Sequence, residues 1–398
     1  MSASSNGNMA KNIAIIGSTG SIGVQTLDVI ESQPTHYKIV ALACDSNIKL
    51  LKEQINKFHP VIAVVYSPIA ACQLQADLNK KQGSKKTELG VTKILCGPRG
   101  LKKLATLASA DQIVFAANGT KSLSALYAAI NANKQIAIAN KELLVTAGDK
   151  IMAAARRNGV EIIPIDSEHS AIFQCLRGER AAEVEKVILT CSGGPFHGKT
   201  NLDFKKITAR EALNHPVWKM GADISLDSAT LMNKCFEIIE AAYLFNLKPE
   251  QIEVVIHPEG VVHSMARFRD GTIKAQLSAP DMRHHIAFAL SHPKRHALSL
   301  PRLNLLELKK LTFFAPDFQR FEGPLFAYDL LNRLSNARFS GGVKKEAKQK
   351  SIVSPQNFTN FKGADLIRAN SKAKKLFLAG KISFADIYPT IKKILHIT

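Results

Sequence analysis

Two carboxylates, Asp166 and Glu168, stand two residues apart just past the apolar run Val160-Glu161-Ile162-Ile163. In extended backbone, side chains at that spacing point the same way. Two acids held on one side repel each other unless a cation sits between them, and oxygen donors of this kind suit Mg²⁺ or Mn²⁺. The same stretch also reads as a strand running into a helix, with Ser167 as N-cap and Glu168 in the first turn. A second polar set lies in Leu226–Glu237, which reads as the opening of a helix capped by Asp227 or Ser228. Asn233 and Glu237 are four apart, Lys234 and Glu237 three apart, so the three share one helix face. Such a face can meet a phosphate and a metal together; the plainer alternative is a solvated helix with one ion pair.

Three further stretches carry chemistry-bearing residues. Ser192-Gly193-Gly194 follows the strand Val184–Thr190 and offers a hydroxyl and open backbone amides, either a phosphate cradle or an ordinary turn. His215–Gly221 holds the single tryptophan, Trp218, between a proline and a glycine. That segment reads as a mobile flap over a ligand or as an aromatic anchor in a core. Lys141 lies at a helix start, in Ala139–Glu142, where it could hold an anionic or ketonic substrate.

Positioning these residues requires a scaffold, and the amino-terminal half spells one out. Lys11–Ile16 is a continuous apolar strand that runs into Gly17-Ser18-Thr19-Gly20-Ser21-Ile22-Gly23 and then an amphipathic helix. Strand, glycine turn, helix is the context of a dinucleotide site: the turn admits a pyrophosphate and the helix N-terminus stabilises its charge. The spacing is GxxGxxG, one residue off the common form. Strands at Lys38–Ala43, Val61–Tyr66, Gln112–Ala116 and Gln135–Ile138 alternate with helices such as Ser122–Ala132 and Leu143–Arg156. The alternation predicts an α/β, Rossmann-like doubly wound parallel sheet. Strands at Ile252–Ile256, Val261–Phe268 and Thr272–Leu277, with a hairpin at Asp270-Gly271, predict a separate α+β catalytic domain covered by a helix over Asp281–Leu290. A proline-marked linker and a C-terminal helical bundle follow. The expected boundaries are 1–160 for the nucleotide-binding domain, 161–290 for the catalytic domain, 291–319 for the linker and 320–398 for the helical domain.

The chain has 398 residues and a net charge of +20. The charge suits an anionic partner such as a nucleotide or sugar phosphate. The lysines are dispersed with little aromatic interleaving, which argues against nucleic acid, and the run Lys344–Lys350 is broken by Glu346. No apolar run approaches membrane-spanning length, and residues 1–12 show no secretory signal. Six cysteines without a CxxC fit free thiols in a reducing, cytoplasmic setting.

Taken in order, GSTGSIG at Gly17–Gly23, ANKE at Ala139–Glu142, PIDSEH at Pro164–His169, SGGPF at Ser192–Phe196, HPVWKMG at His215–Gly221 and DSATLMNK at Asp227–Lys234 closely resemble one family. It is the 1-deoxy-D-xylulose 5-phosphate reductoisomerases of the non-mevalonate isoprenoid pathway. The resemblance implies a divalent metal (Mn²⁺ or Mg²⁺) on Asp166, Glu168 and Glu237. It implies that Ser192, His215, Ser228, Asn233 and Lys234 bind substrate, chiefly its phosphate, and that Lys141, Ser167 and Glu168 complete the substrate site. NADPH would lie on Thr19, Gly20, Ser21 and Ile22, with Asn47, Asn140, Glu142 and Gly221 nearby, and Trp218 would close over the substrate. The resemblance further implies a homodimer with a C-terminal helical bundle.

The chain departs from the family's pattern in places. At the end of the second strand, glycine, a basic residue and asparagine become Asp45, Ser46 and Asn47. An acid there favours a free ribose 2′-hydroxyl, as an NAD-linked dehydrogenase of another phosphorylated substrate would have. NADPH remains the expectation, with other lysines serving its 2′-phosphate. Cys191, Gly260, His284-His285 and Glu322-Gly323 replace the family's usual residues. A basic loop is inserted at about 341–362, and Leu366–Ser371 matches the family's helix only in part. A non-catalytic relative is the alternative these changes raise, but every proposed metal carboxylate is present.

Overall fold

The computed structural model describes residues 10–82, 92–218, 221–339 and 361–397. Lys344–Lys350 and all but the last two residues of the basic insertion lie outside them, as do Lys219 and Met220. The chain forms two compact units. One comprises Met1–Leu143, Asp149–Ser170 and Asp281–Pro301; the other comprises Leu144–Gly148, Ala171–Pro280 and Arg302–Thr398.

The first unit alternates strand and helix: β1 (Lys11–Ile16), α1 (Ser21–Glu31), β2 (Tyr37–Cys44), α2 (Ile48–Phe58), β3 (Ile62–Val65), α3 (Pro68–Gln82), β4 (Lys93–Cys96), α4 (Gly97–Ala105), β5 (Gln112–Phe115), α5 (Leu123–Asn131), β6 (Gln135–Ile138), α6 (Lys141–Asn158) and β7 (Ile162–Pro164). The strands make one parallel sheet in the order β4-β3-β2-β1-β5-β6-β7. Strands covered on both faces are apolar throughout rather than alternating. Accordingly Ile13 to Ile16 of β1 are all buried, as are Ile113 to Phe115 of β5. The connection reverses beside β1, which lies between β2 and β5. That switch point is where sheets of this kind bind ligands. The edge strand β4 had no forecast from the sequence. It is four residues long, with the short apolar run Ile94-Leu95-Cys96, and none of its residues is fully buried.

After β7 the chain continues through α7 (Ser167–Cys175), β8 (Val184–Cys191), α8 (Ala209–Leu213), α9 (Ala222–Ala229), α10 (Met232–Leu244), β9 (Ile252–Ile256), β10 (Val262–Phe268), β11 (Ile273–Leu277), α11 (Met282–Ser291), α12 (Leu305–Leu308), α13 (Gly323–Phe339), α14 (Gly363–Leu378) and α15 (Ile387–Leu395). The second unit is built on a four-stranded sheet, β11-β10-β8-β9, in which β8 and β9 run parallel and the other pairs antiparallel. Its core joins sheet residues such as Val187, Leu189 and Ala266 to Phe236 and Ile239 of α10, and to Phe326, Leu366, Phe377 and Ile391 of the last three helices. α13 approaches the start of α10 so closely that a Cβ on Gly323 would lie 2.8 Å from the Leu231 backbone.

One expectation fails here. The helix at Asp281–Leu290, expected to belong with the second sheet, is not part of the second unit. As α11 it belongs to the first unit and packs on α1. Its carbonyls are held there by side chains of the first sheet: Gln112 Nε2 donates to Ala289 O at 2.9 Å and Lys11 Nζ to Leu290 O at 2.8 Å.

Candidate active site

The glycine turn after β1 is shaped by two close approaches. Gly17 has φ +96°, and a Cβ there would sit 2.5 Å from Ala117 N; a Cβ on Gly23 would overlap the Gly17 carbonyl. A larger residue at Gly17 would collide with the backbone just after β5, and one at Gly23 with the turn itself, so neither could hold this shape. Thr19, Gly20 and Ser21 form the outer rim, with Gly20 as N-cap of α1 and Ser21 and Ile22 in its first turn. Ser18 is buried and clasps α2: its hydroxyl donates to Gln54 Oε1 at 2.8 Å, and Gln54 Nε2 donates back to Ser18 O at 2.8 Å. The sequence carried no sign of this clasp, because glutamine on a helix face is unremarkable. Asn47 caps α2, accepting from Leu50 N at 3.3 Å. Asn140 is buried and caps α6, accepting from Leu143 N at 3.2 Å while its amide donates to Gly119 O at 2.8 Å and to Ala117 O. It therefore fixes the loop after β5 rather than presenting a free amide to the crevice. Glu142 lies in the first turn of α6.

The acidic pair follows β7. The backbone there is not extended as the spacing suggested, because α7 already begins at Ser167 and takes Glu168 into its first turn. The pairing survives by another route: Asp166 and Glu168 still offer carboxylate oxygens within 4.8 Å of each other. Lys141 Nζ lies 2.7 Å from Asp166 Oδ2, both side chains about five-sixths shielded from solvent, and buried His169 Nδ1 lies 3.6 Å away. Burial would push the Asp166 carboxyl up, but the Lys141 ammonium and His169 outweigh it and hold the group well below the usual carboxylate range. Ser167 Oγ donates to Glu168 Oε2 at 2.6 Å. Lys141, Asp166, Ser167 and Glu168 thus form one cluster in the first unit.

The second unit gathers its own set around the end of β8. Lys234 is 2% exposed and Glu237 fully buried, so the Asn233/Lys234/Glu237 face is interior and not a solvated helix surface. Lys234 Nζ donates to Thr190 O at 2.5 Å and to Glu237, whose other oxygen accepts from Asn233 Nδ2. Two residues past Thr190, Ser192 Oγ lies 2.9 Å from His215 Nε2. His215 Nδ1 accepts from Val217 N at 3.1 Å and Trp218 N at 2.9 Å. An acceptor at Nδ1 assigns the proton of the neutral ring to Nε2, and burial lowers the ring's pKa below its ordinary value. Gly194, at φ +67°, lets the turn pass 2.9 Å from the carbonyl oxygen of Ser228 as measured from a Cβ built on it. Ser192, His215, Ser228 and Lys234 are therefore tied to one strand end, with hydroxyl, imidazole N–H and ammonium donors that suit a phosphate.

The tryptophan segment lies over β10. The Trp218 ring centroid is 6.3 Å from that of His263, and Val217 reaches within 3.1 Å of a Cβ built on Gly260, which has φ +63°. That contact gives a physical reason for glycine where the family commonly has serine. Gly221 is the N-cap of α9.

Asp227 is not the cap the sequence suggested. It sits in the last turn of α9, and a left-handed residue, Leu231 at φ 52°, separates that helix from α10. Its carboxylate is buried and accepts from Asn370 Nδ2 at 2.7 Å and Lys374 Nζ at 2.7 Å, both on α14. Burial pushes the Asp227 carboxyl up despite these donors. Tyr388 of α15 adds a bond to Thr230 O. These partners lie more than 140 residues away in sequence, and no local pattern could name them.

Comparison with known proteins gives a consistent picture. A family model described as 1-deoxy-D-xylulose 5-phosphate reductoisomerase matches residues 13–148, and two models of that enzyme's C-terminal domains match 162–245 and 277–339. The chain is 44% identical over 377 residues to 1-deoxy-D-xylulose 5-phosphate reductoisomerase of Endomicrobium trichonymphae, covering 95% of this chain and 89% of that one. It is 42% identical to the Bacillus thuringiensis subsp. konkukian enzyme, over 98% of this chain and 92% of the other. A crystal structure of DOX-P reductoisomerase in complex with NADPH, fosmidomycin and magnesium superimposes with TM-score 0.83 at 37% identity, covering 97% of this chain and 89% of that one. The Zymomonas mobilis reductoisomerase in complex with NADPH gives 0.82 at 34% identity, over 98% and 92%.

Proposed function

The chain belongs to the 1-deoxy-D-xylulose 5-phosphate reductoisomerase family, and from that premise we propose how its own side chains carry the reaction. It rearranges 1-deoxy-D-xylulose 5-phosphate and reduces the product with NADPH to 2-C-methyl-D-erythritol 4-phosphate, using a divalent metal, in the non-mevalonate isoprenoid pathway. A bound Mg²⁺ or Mn²⁺ supplies Lewis-acid polarisation of the ketone, and the nicotinamide supplies hydride.

Asp166, Glu168 and Glu237 are the proposed metal ligands. They are hard oxygen donors, and the first two already lie close enough to share an ion. Lys141, the ion-pair partner of Asp166, is the proposed cationic contact for a substrate oxygen, with Ser167 and Glu168 beside it. Ser192, His215, Ser228, Asn233 and Lys234 would take the phosphate. The Ser192 hydroxyl and the His215 Nε2–H donate to it, and Lys234 contributes charge from the interior. Trp218 would close over the substrate and exclude water. Thr19, Gly20, Ser21 and Ile22 would hold the dinucleotide, Asn140 by fixing the loop after β5, with Asn47, Glu142 and Gly221 around it.

The observation that carries this reading is the end of β8, where Lys234 is bound to Thr190 O while the Ser192–His215 pair opens two residues on. A buried ammonium and two aimed donors beside a buried carboxylate suit a phosphorylated substrate held next to a cation. The functional division at 1–160, 161–290, 291–319 and 320–398 stands beside the compact units as a proposal about roles. We further propose a cytoplasmic homodimer with no nucleic-acid or membrane partner; among the described residues, no helix is long and apolar enough to cross a membrane.

The test is product analysis. Purified full-length protein with 1-deoxy-D-xylulose 5-phosphate, NADPH and Mg²⁺ should consume the two substrates one for one, with 2-C-methyl-D-erythritol 4-phosphate identified by NMR. NADPH oxidation that yields no branched product, or no consumption at all, would count against the reading.

A further inference from the structure

Asp45 poses a problem for an NADPH enzyme. It follows β2, where this type of fold meets the adenine ribose, and an acid there should favour the free 2′-hydroxyl of NADH. The structure gives Asp45 a partner that the sequence did not name. Lys121, in the turn between β5 and α5, donates from Nζ to both carboxylate oxygens of Asp45, at 2.8 and 3.0 Å. β2 and β5 flank β1 on opposite sides, so the Lys121–Asp45 pair links loops on either side of the strand that leads into the glycine turn. The same ammonium lies 4.8 Å from the ring centroid of Tyr66, just after β3. Loops from three strands therefore converge on one cation at the ribose end of the crevice.

The pair is open to water: the Lys121 and Asp45 side chains are 55% and 61% exposed. An exposed ion pair contributes little net stability and exchanges partners readily, while the aromatic face keeps the ammonium in place. A 2′-phosphate carries between one and two negative charges with several strong acceptor oxygens, and outcompetes a single carboxylate for that ammonium. With no 2′-phosphate present, Lys121 stays on Asp45 and masks the acid from a ribose hydroxyl.

We propose that Lys121 is the residue that selects NADPH over NADH in this chain, supplying the cation missing at Asp45-Ser46 and neutralising Asp45 against the competing cofactor. The assignment rests on the reading of the chain as an NADPH enzyme. It does not follow from the family pattern, whose basic residue lies in the loop after β2.

The experiment is calorimetric titration of full-length protein, without substrate, using NADPH, NADH, 2′,5′-ADP and 5′-ADP. Lys121→Gln keeps the length and removes the charge at an exposed position. It should weaken NADPH and 2′,5′-ADP by roughly tenfold or more and leave NADH and 5′-ADP within about twofold or slightly tighter. Lys121→Arg should retain the preference. An unchanged NADPH-to-NADH affinity ratio in Lys121→Gln, or equal weakening of both, overturns the assignment while leaving the family's reaction intact. Wild-type protein that binds neither dinucleotide overturns the NADPH reading itself, and the assignment with it.

Discussion

Lys234 and Glu237, one turn apart on α10, form an ion pair sealed from solvent, with side chains 2% and 1% exposed. Charges this deep are costly to bury, and removing one partner leaves the other uncompensated, at a cost of about 3–5 kcal/mol. Glu237→Gln keeps the shape and a hydrogen-bond acceptor but loses the charge. It should abolish turnover and lower the chemical-denaturation free energy by about that amount. Wild-type stability together with a wild-type rate would show that the pair is incidental.

The Ser192–His215 contact predicts a substrate-side effect that leaves the cofactor untouched. In the proposed site, Ser192→Ala removes one donor to the substrate phosphate, a bond of about 1.5–3 kcal/mol. The KM for the sugar phosphate should rise by roughly 10- to 100-fold while the KM for NADPH stays within about twofold. Steady-state kinetics with each ligand varied in turn would reveal the opposite pattern, a cofactor effect, if the serine belonged to the nucleotide site.

The glycine turn makes a differential prediction. A Cβ on Gly20 would meet nothing closer than 3.4 Å, whereas one on Gly23 would overlap the Gly17 carbonyl. Gly20→Ala should keep a native thermal midpoint. Gly23→Ala must displace the turn from α1, and dinucleotide binding should fall by more than tenfold in calorimetry. Equal behaviour of the two variants would mean that the turn is not held as described.

Burial lowers the pKa of His215 in the folded protein below its unfolded value. Above the unfolded value both states carry a neutral ring and nothing is lost. As pH falls from about 6.5 through the lowered folded value, the unfolded state binds the proton first and the folded state loses relative stability. Denaturation midpoints measured from pH 7.5 downward should therefore fall less steeply in His215→Gln than in wild type. An identical slope would show that the ring titrates as if exposed.

The scaffold was legible because its signals are local. β1, its glycine turn and α1 form one contiguous pattern, and Asn233, Lys234 and Glu237 declare a shared face by spacing alone. What escaped was what depends on distant chain. α11 reads as a helix in any context, and nothing within it says which unit it will join. Asp227 looks like a cap until Asn370 and Lys374 arrive from α14. The pair Asp166 and Glu168 was found for a reason that fails, since Ser167 is already helical. β4 was missed because its apolar run, Ile94-Leu95-Cys96, is only three residues long and passes directly into α4 at Gly97.

In the proposed site Asp166, Glu168 and Glu237 serve a single divalent ion. Mn²⁺ binding to the full-length protein, followed by electron paramagnetic resonance titration with NADP⁺ and substrate present so that no reduction occurs, measures this. One tight site per chain is expected, weakened by more than tenfold in each of Asp166→Asn, Glu168→Gln and Glu237→Gln taken singly. A site whose affinity is the same in any of the three correctly folded variants would contradict it.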